Sequence, residues 1–297
     1  MTEPIVSVII PSYNAEKTLG RALESLRQQS YRPLEVLLMD GGSKDGTVTV
    51  ARQYQDIITT LVSEKDRGQA HAINKGFDVA RGDYVCWLCA DDTLLPETMR
   101  HVVNHFALDP ELDLISGACE RKYEDGSVQV VVPPANAFQI IGAQYRIEQP
   151  STFWRRKAQG ADLRLEESFH YAFDWDFFAR LAKRSRKSLL LPDVMSSYYF
   201  SPTNKTSTGG RNLVNEMYQV VERHGPLDGR LAKVFSLLYR RFDLAGCFDT
   251  PPTCTSSQLH RFARIHGRLE ERYGKELIHL YNWNFASKQE RGLIWYK

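Results

Sequence analysis

No stretch of this chain is long and apolar. Its most hydrophobic runs, Val6-Ser7-Val8-Ile9-Ile10 and Leu34 to Met39, are strand-sized and far short of the ~20 residues that cross a bilayer. The opening Met1-Thr2-Glu3-Pro4 lacks the basic and apolar regions of a secretion signal. An excess of either charge is lacking too: the net formal charge is +2, which argues against a nucleic-acid partner. The 5 cysteines are odd in number and scattered, so a disulfide framework is not expected. Cys86 and Cys89 form a C-x-x-C, but strand residues three apart point to opposite faces, which disfavours a zinc or redox pair. Together these absences point to a cytoplasmic, reduced protein. No G-x-G-x-x-G follows the first apolar run, which disfavours a dinucleotide oxidoreductase.

What is present is regular alternation. Ile5 to Ile10 reads as a strand stopped by Pro11. Leu19, Ala22, Leu23 and Leu26 recur at helical spacing between Ala15 and Gln29. Glu35 to Met39 is a second strand, followed by a helix from near Thr47. Ile57 to Val62 is a third, and Ala70, Ile73, Phe77 and Ala80 mark one helix face. Tyr84 to Cys89 is the fourth strand, and Pro96 opens a helix to about Phe106. This order predicts a mostly parallel, doubly wound sheet. Beyond residue 110 the pattern changes to a hairpin (114–123, 128–132), a helix near 174–183 and a short strand at 188–191. From about Gly209 it becomes helical and basic. The expected division is an α/β domain over 1–208 and a helical extension over 209–297.

In such sheets ligands bind beyond the carboxyl ends of the strands. Pro11-Ser12-Tyr13-Asn14, Asp40, Glu64 to Gly68 and Asp91-Asp92 all fall at that edge. Two adjacent carboxylates repel unless a cation accepts both, so Asp91 and Asp92 suit a hard divalent metal beside a phosphate-bearing ligand. The plainer alternatives are Asp92 as a helix cap and Asp40 as a turn residue before Gly41-Gly42.

Several segments, in order, carry a resemblance: Pro11-Ser12-Tyr13-Asn14, Asp40 to Thr47, Ser63 to Gly68, Asn74-Lys75-Gly76, Ala80 to Asp83, Ala90-Asp91-Asp92, Gln149 to Trp154 and Phe173 to Asp176. Over roughly residues 5–206 the chain resembles the family 2 glycosyltransferases. The resemblance implies the GT-A fold: a Rossmann-like, mostly parallel sheet flanked by helices, with the helical C-terminal extension added. It also implies transfer of a sugar, with inversion, from a nucleotide diphosphate sugar donor to a hydroxyl of a glycan or lipid-linked acceptor. A UDP-sugar and the building of bacterial cell-surface polysaccharide are the expected setting. Pro11 and Tyr13 would lie at the nucleobase, Asp40 would accept a base N–H, and Gly68 would pass close to the nucleotide. Asp91 would face the ribose, and Asp92 would hold Mg2+ or Mn2+. Asp174 would be the general base, with Asp176 the neighbour most easily taken for it. Ser201 stands where many relatives carry a metal-contacting His, and Lys205 follows it. That departure leaves open a non-catalytic nucleotide-sugar or glycan-binding homologue. A sugar-phosphate nucleotidyltransferase would want a Gly-rich basic loop after the first strand, which is lacking.

Leu231, Val234, Phe235, Leu238 and Phe242 form an apolar stripe beside Arg230, Lys233, Arg240 and Arg241. Packing on the domain or on a partner subunit, as in a homodimer, is the expected use; peripheral contact with the inner face of a membrane is the alternative.

Overall fold

The computed structural model describes residues 3–201, 204–225, 229–248, 253 and 255–274. The N-terminal alternation forms four parallel strands, β1 (Val6–Ser12), β2 (Leu34–Asp40), β3 (Ile58–Ser63) and β4 (Tyr84–Trp87), ordered β3-β2-β1-β4. Helices α1 (Leu19–Arg27), α2 (Thr47–Arg52) and α3 (Gln69–Val79) connect them. α1 buries Leu19, Ala22, Leu23 and Leu26, the positions its spacing singles out. β1 runs through Pro11 rather than stopping there, pairing Ser12 with Asp40 of β2. Its ladder with β4 ends at Ile9, and past that point, with β2 alone as neighbour, a residue lacking an N–H is tolerated.

The second half of the sheet is mixed. β5 (Thr93–Leu94), α4 (Thr98–Leu108), β6 (Leu112–Tyr123) and β7 (Val128–Val131) follow β4. Next come β8 (Thr152–Arg155), α5 (Arg156–Gln159), α6 (Phe173–Arg184) and β9 (Lys187–Phe200). β8 lies antiparallel between β4 and β6, and β9 runs parallel to β6. Two differences from the periodicity stand out. β8 is four residues long and begins inside the Gln149–Trp154 segment, too short for alternation to reveal. β9 is 14 residues long, because pairing with β6 continues across register shifts on both sides of Pro192, a residue that ends the apolar run in the sequence.

A ring cluster joins these parts. Trp87 of β4 and Trp154 of β8 meet edge-on at 5.6 Å, and Phe177 and Phe178 of α6 lie 5.4 and 5.0 Å from Trp87. Phe77 of α3 stacks on Phe177 at 5.5 Å. Aromatic pairs at these separations contribute roughly 0.5–1.5 kcal/mol each beyond area burial.

The chain divides into two compact units, Met1–Phe138 with Arg146–Pro202, and Gln139–Tyr145 with Thr203–Lys297. The second unit holds α7 (Lys205–Thr208), α8 (Gly210–His224), α9 (Arg230–Arg241) and α10 (Ser256–Tyr273). Its core includes Tyr239 of α9, whose ring lies 4.6 Å from Tyr218 of α8 and 5.3 Å from Phe262 of α10. The buried face of α9 is Leu231, Ala232, Phe235 and Tyr239, while Val234 is exposed. The stripe read from the sequence is therefore turned by about one residue and meets helices of its own unit. No helix among the described residues is long and apolar enough to cross a membrane.

Candidate metal and nucleotide site

β4 ends where its last hydrogen bond to β1 is made, Leu88 N–H to the Ile9 carbonyl at 2.9 Å. The chain then turns, with Asp92 N–H donating to the Cys89 carbonyl at 3.1 Å. That turn brings the Cys89 sulfur and one oxygen each of Asp91 and Asp92 within 4.8 Å of one another. Asp92 is 2% exposed, and its Oδ1 is buried with no hydrogen-bond partner. A buried polar atom left unpaired is costly, more so when charged. Burial first, then the Asp91 charge, push the Asp92 carboxyl well above the usual carboxylate range, against the pull of Arg21 and a Tyr199 N–H. Burial also raises Asp91, with Arg21 again opposing. Two carboxylates with raised pKa values, one holding an oxygen without a partner, fit a divalent cation as the missing neighbour. The Cys89 sulfur lies beside them as a third donor atom.

Supporting groups surround this turn. Arg21 of α1 donates to the Asp91 carbonyl at 3.0 Å and lies 3.5 Å over the Tyr199 ring. Gln69, the first residue of α3, donates to the Cys89 sulfur at 3.3 Å, tying the Glu64–Gly68 loop to the strand end. Cys89 in turn donates to Gln149 Oε1 at 3.5 Å, and Gln149 Nε2 donates to the Trp87 carbonyl at 2.8 Å. Glu148 is buried, its pKa raised by that burial while Arg121, 2.8 Å away, opposes the rise. Glu148 and Arg21 carry no signal in the sequence, and Cys89 shows there only as half of a disfavoured C-x-x-C. Their spacing matches no ligand pattern, and only the turn and the strand order assemble them.

The other candidates are placed as follows. Pro11 is buried inside β1, and Tyr13 just beyond it is 61% exposed. Asp40 is fully buried. Its carboxylate accepts from Ser12 Oγ at 3.3 Å, Gly42 N at 3.2 Å, Ser43 N at 3.0 Å and Ser63 Oγ at 2.6 Å, and from Ser43 Oγ. Burial would raise its pKa, but these donors, led by the Ser43 and Ser63 hydroxyls, hold it below the ordinary value. Asp40 therefore braces the loop and offers no free face to a base. Gly68 has φ +119°, which favours glycine, and open space beside it.

Asp174 stands half-buried in the first turn of α6, its Oδ1 accepting the Trp175 N–H at 2.7 Å. It lies one turn before Phe177, so the same ring cluster anchors the start of α6 and the end of β4. Asp176 is 1% exposed and gripped by Arg180 Nη2 at 2.6 Å, the engagement of a structural ion pair. Ser201 donates to Glu124 Oε1 at 2.8 Å, at the turn between β6 and β7.

Residues 7–178 match the family described as Glycosyl transferase family 2. The chain belongs to glycosyl transferase family 2. It is 27% identical over 213 residues to the amylovoran biosynthesis glycosyltransferase AmsB of Erwinia amylovora, covering 65% of this chain and 69% of AmsB. With the glycosyltransferase YibD of Escherichia coli it shares 36% over 111 residues, 37% of this chain but 32% of YibD. Among solved structures, TarS 1-349 of S. aureus in complex with UDP-GlcNAc is similar at TM-score 0.62 and 16% identity, covering 98% of this chain and 93% of that one. The mannosyltransferase PcManGT of Pyrobaculum calidifontis, in complex with GDP-Man and Mn2+, is similar at TM-score 0.60 and 18% identity, covering 96% and 80%. The family 2 chain is thus a transferase on the GT-A fold.

Proposed function

We propose that this family 2 enzyme is an inverting glycosyltransferase that takes a sugar from a nucleoside diphosphate donor to a hydroxyl of a glycan or lipid-linked acceptor. The observation that carries the reading is the unpartnered, buried Asp92 Oδ1 beside Asp91 and Cys89 at the end of a parallel strand. Asp92, Asp91 and Cys89 would hold Mg2+ or Mn2+, which supplies charge stabilisation to the departing diphosphate. The name of AmsB supports a surface polysaccharide as the product, and the TarS and PcManGT complexes support a sugar nucleotide as donor.

Asp174 is the general base of this reading. The acceptor oxygen forms its bond to the anomeric carbon as the carbon–diphosphate bond breaks; the diphosphate leaves with that electron pair. The acceptor proton passes to the Asp174 carboxylate, in concert with attack. The Trp175 N–H bond and the anchored start of α6 keep that carboxylate oriented. Asp176, committed to Arg180, is left out of the transfer.

Replacing Asp174 with Asn should leave donor binding within about twofold while lowering turnover by roughly 10²–10⁴, the usual contribution of a general base. Sugar-nucleotide turnover together with calorimetric donor binding checks this, and a variant with unchanged turnover would reject the base assignment.

A further inference from the structure

Asp40, the carboxylate at the end of β2, is walled in and saturated with donors, so the acceptor for a nucleobase must come from elsewhere. The neighbouring residue is Gly41, whose N–H donates to the Ser12 carbonyl at 2.8 Å. A methyl group built on Gly41 would lie 2.6 Å from Asp66 Oδ2 and 3.0 Å from its Cγ. The carboxyl of Asp66 thus fills the volume that a side chain at position 41 would take. Asp66 is half-buried, and its Oδ1 accepts the Gly68 N–H at 2.8 Å. Its Oδ2 makes no hydrogen bond among the described residues. Tyr13, next to Ser12 and 61% exposed, offers an aromatic face on the same rim.

We infer that Asp66, standing in for the missing side chain at position 41, reads the nucleobase of the donor and selects one carrying a single N–H on its pairing edge, a uridine or thymidine diphosphate. This rests on the nucleoside diphosphate reading above. The chemistry follows from one free acceptor oxygen. Uracil and thymine present N3–H, a donor that a carboxylate takes in a charge-assisted bond. Cytosine presents a ring-nitrogen lone pair at the same place, which repels a carboxylate. Guanine presents two donors side by side and would want both oxygens, one of which the Gly68 amide already holds. An exposed tyrosine ring stacks on any base and so contributes affinity without choice.

The test is equilibrium binding of UDP, CDP and GDP, each with Mn2+, to four forms of the full chain: wild type, Asp66→Ala, Asp66→Asn and the double variant Gly41→Asp/Asp66→Gly. The wild type should prefer UDP to CDP by roughly tenfold or more, the worth of one charge-assisted hydrogen bond. Asp66→Ala should lose about that factor for UDP and little for CDP. Asp66→Asn, able to donate to cytosine N3 and to keep the Gly68 contact, should shift preference toward CDP. The double variant, which moves the carboxylate from one backbone to the other, should regain the UDP preference. An Asp66→Ala variant with the wild-type preference, or with equal losses for UDP and CDP, overturns the base-reading role while leaving nucleotide binding in place. Failure of the wild type to bind any of the three overturns the donor reading itself.

Discussion

At the level of single residues, Asp92 is the clearest case of a side chain whose cost implies a ligand. Its folded pKa lies above the ordinary 3.8. Such a group contributes most below its unfolded pKa and loses that contribution as pH rises through the folded value. At neutral pH the metal-free protein therefore carries a penalty at this position. Replacing Asp92 with Asn should stabilise the metal-free chain by about 1–3 kcal/mol and abolish any rise in melting temperature with Mn2+. Unfolding with and without Mn2+ measures both, and a variant still stabilised by Mn2+ would reject Asp92 as the ligand. Asp40 behaves in the opposite sense: an equally buried carboxylate made inexpensive by five donors. Two aspartates that look alike beyond the parallel strands on either side of β1 thus have different uses, set by how many N–H and O–H groups face each.

Within elements, close approach of backbone decides what a position tolerates. Gly76 on α3 lies against Ile9 of β1, and a Cβ there would run into the Ile9 side chain. Ile9 is fully buried, so it has little room to yield. Gly76→Ala should destabilise by about 1–3 kcal/mol despite the better helix propensity of alanine. Chemical denaturation would show it as a lower midpoint with an unchanged slope; a stabilised variant would mean that α3 packs elsewhere. The helix spacing, the four parallel strands and the order of loops were all readable from periodicity, because apolar side chains on these elements face one core. The length of β9 and the existence of β8 were not. Both depend on ladder partners distant in sequence, and β9 continues through a proline that local rules treat as a stop. The turned face of α9 has the same origin: its neighbours α8 and α10 select which side is covered.

For the whole molecule, acid sensitivity should follow the depressed carboxylates. Asp40, held down by its hydroxyl and amide donors against burial, and Asp113, held down by Arg186 against burial, both titrate below the ordinary 3.8 in the folded chain. Each contributes stability above 3.8 that is lost as pH falls through its folded value. Stability should therefore drop steeply below about pH 4, and Asp40→Asn should be weaker at neutral pH with a shallower acid limb. Urea unfolding across pH 2–6 checks the sign, and an acid limb unchanged in the variant would contradict it.

Sequence alone determined the alternating α/β core, the family and the edge at which acidic loops gather, because periodicity and motif order are local properties of the chain. It also brought Asp91, Asp92 and Asp174 forward as candidates. Only the tertiary structure decided which carboxylates have room for a ligand. Asp40 and Asp176 are used up by Ser43, Ser63 and Arg180, whereas Asp92 keeps an unpaired oxygen beside Cys89, and Asp66 occupies the space that Gly41 leaves. The number of donors facing a buried oxygen is set by segments far apart in the chain, and no local pattern encodes it.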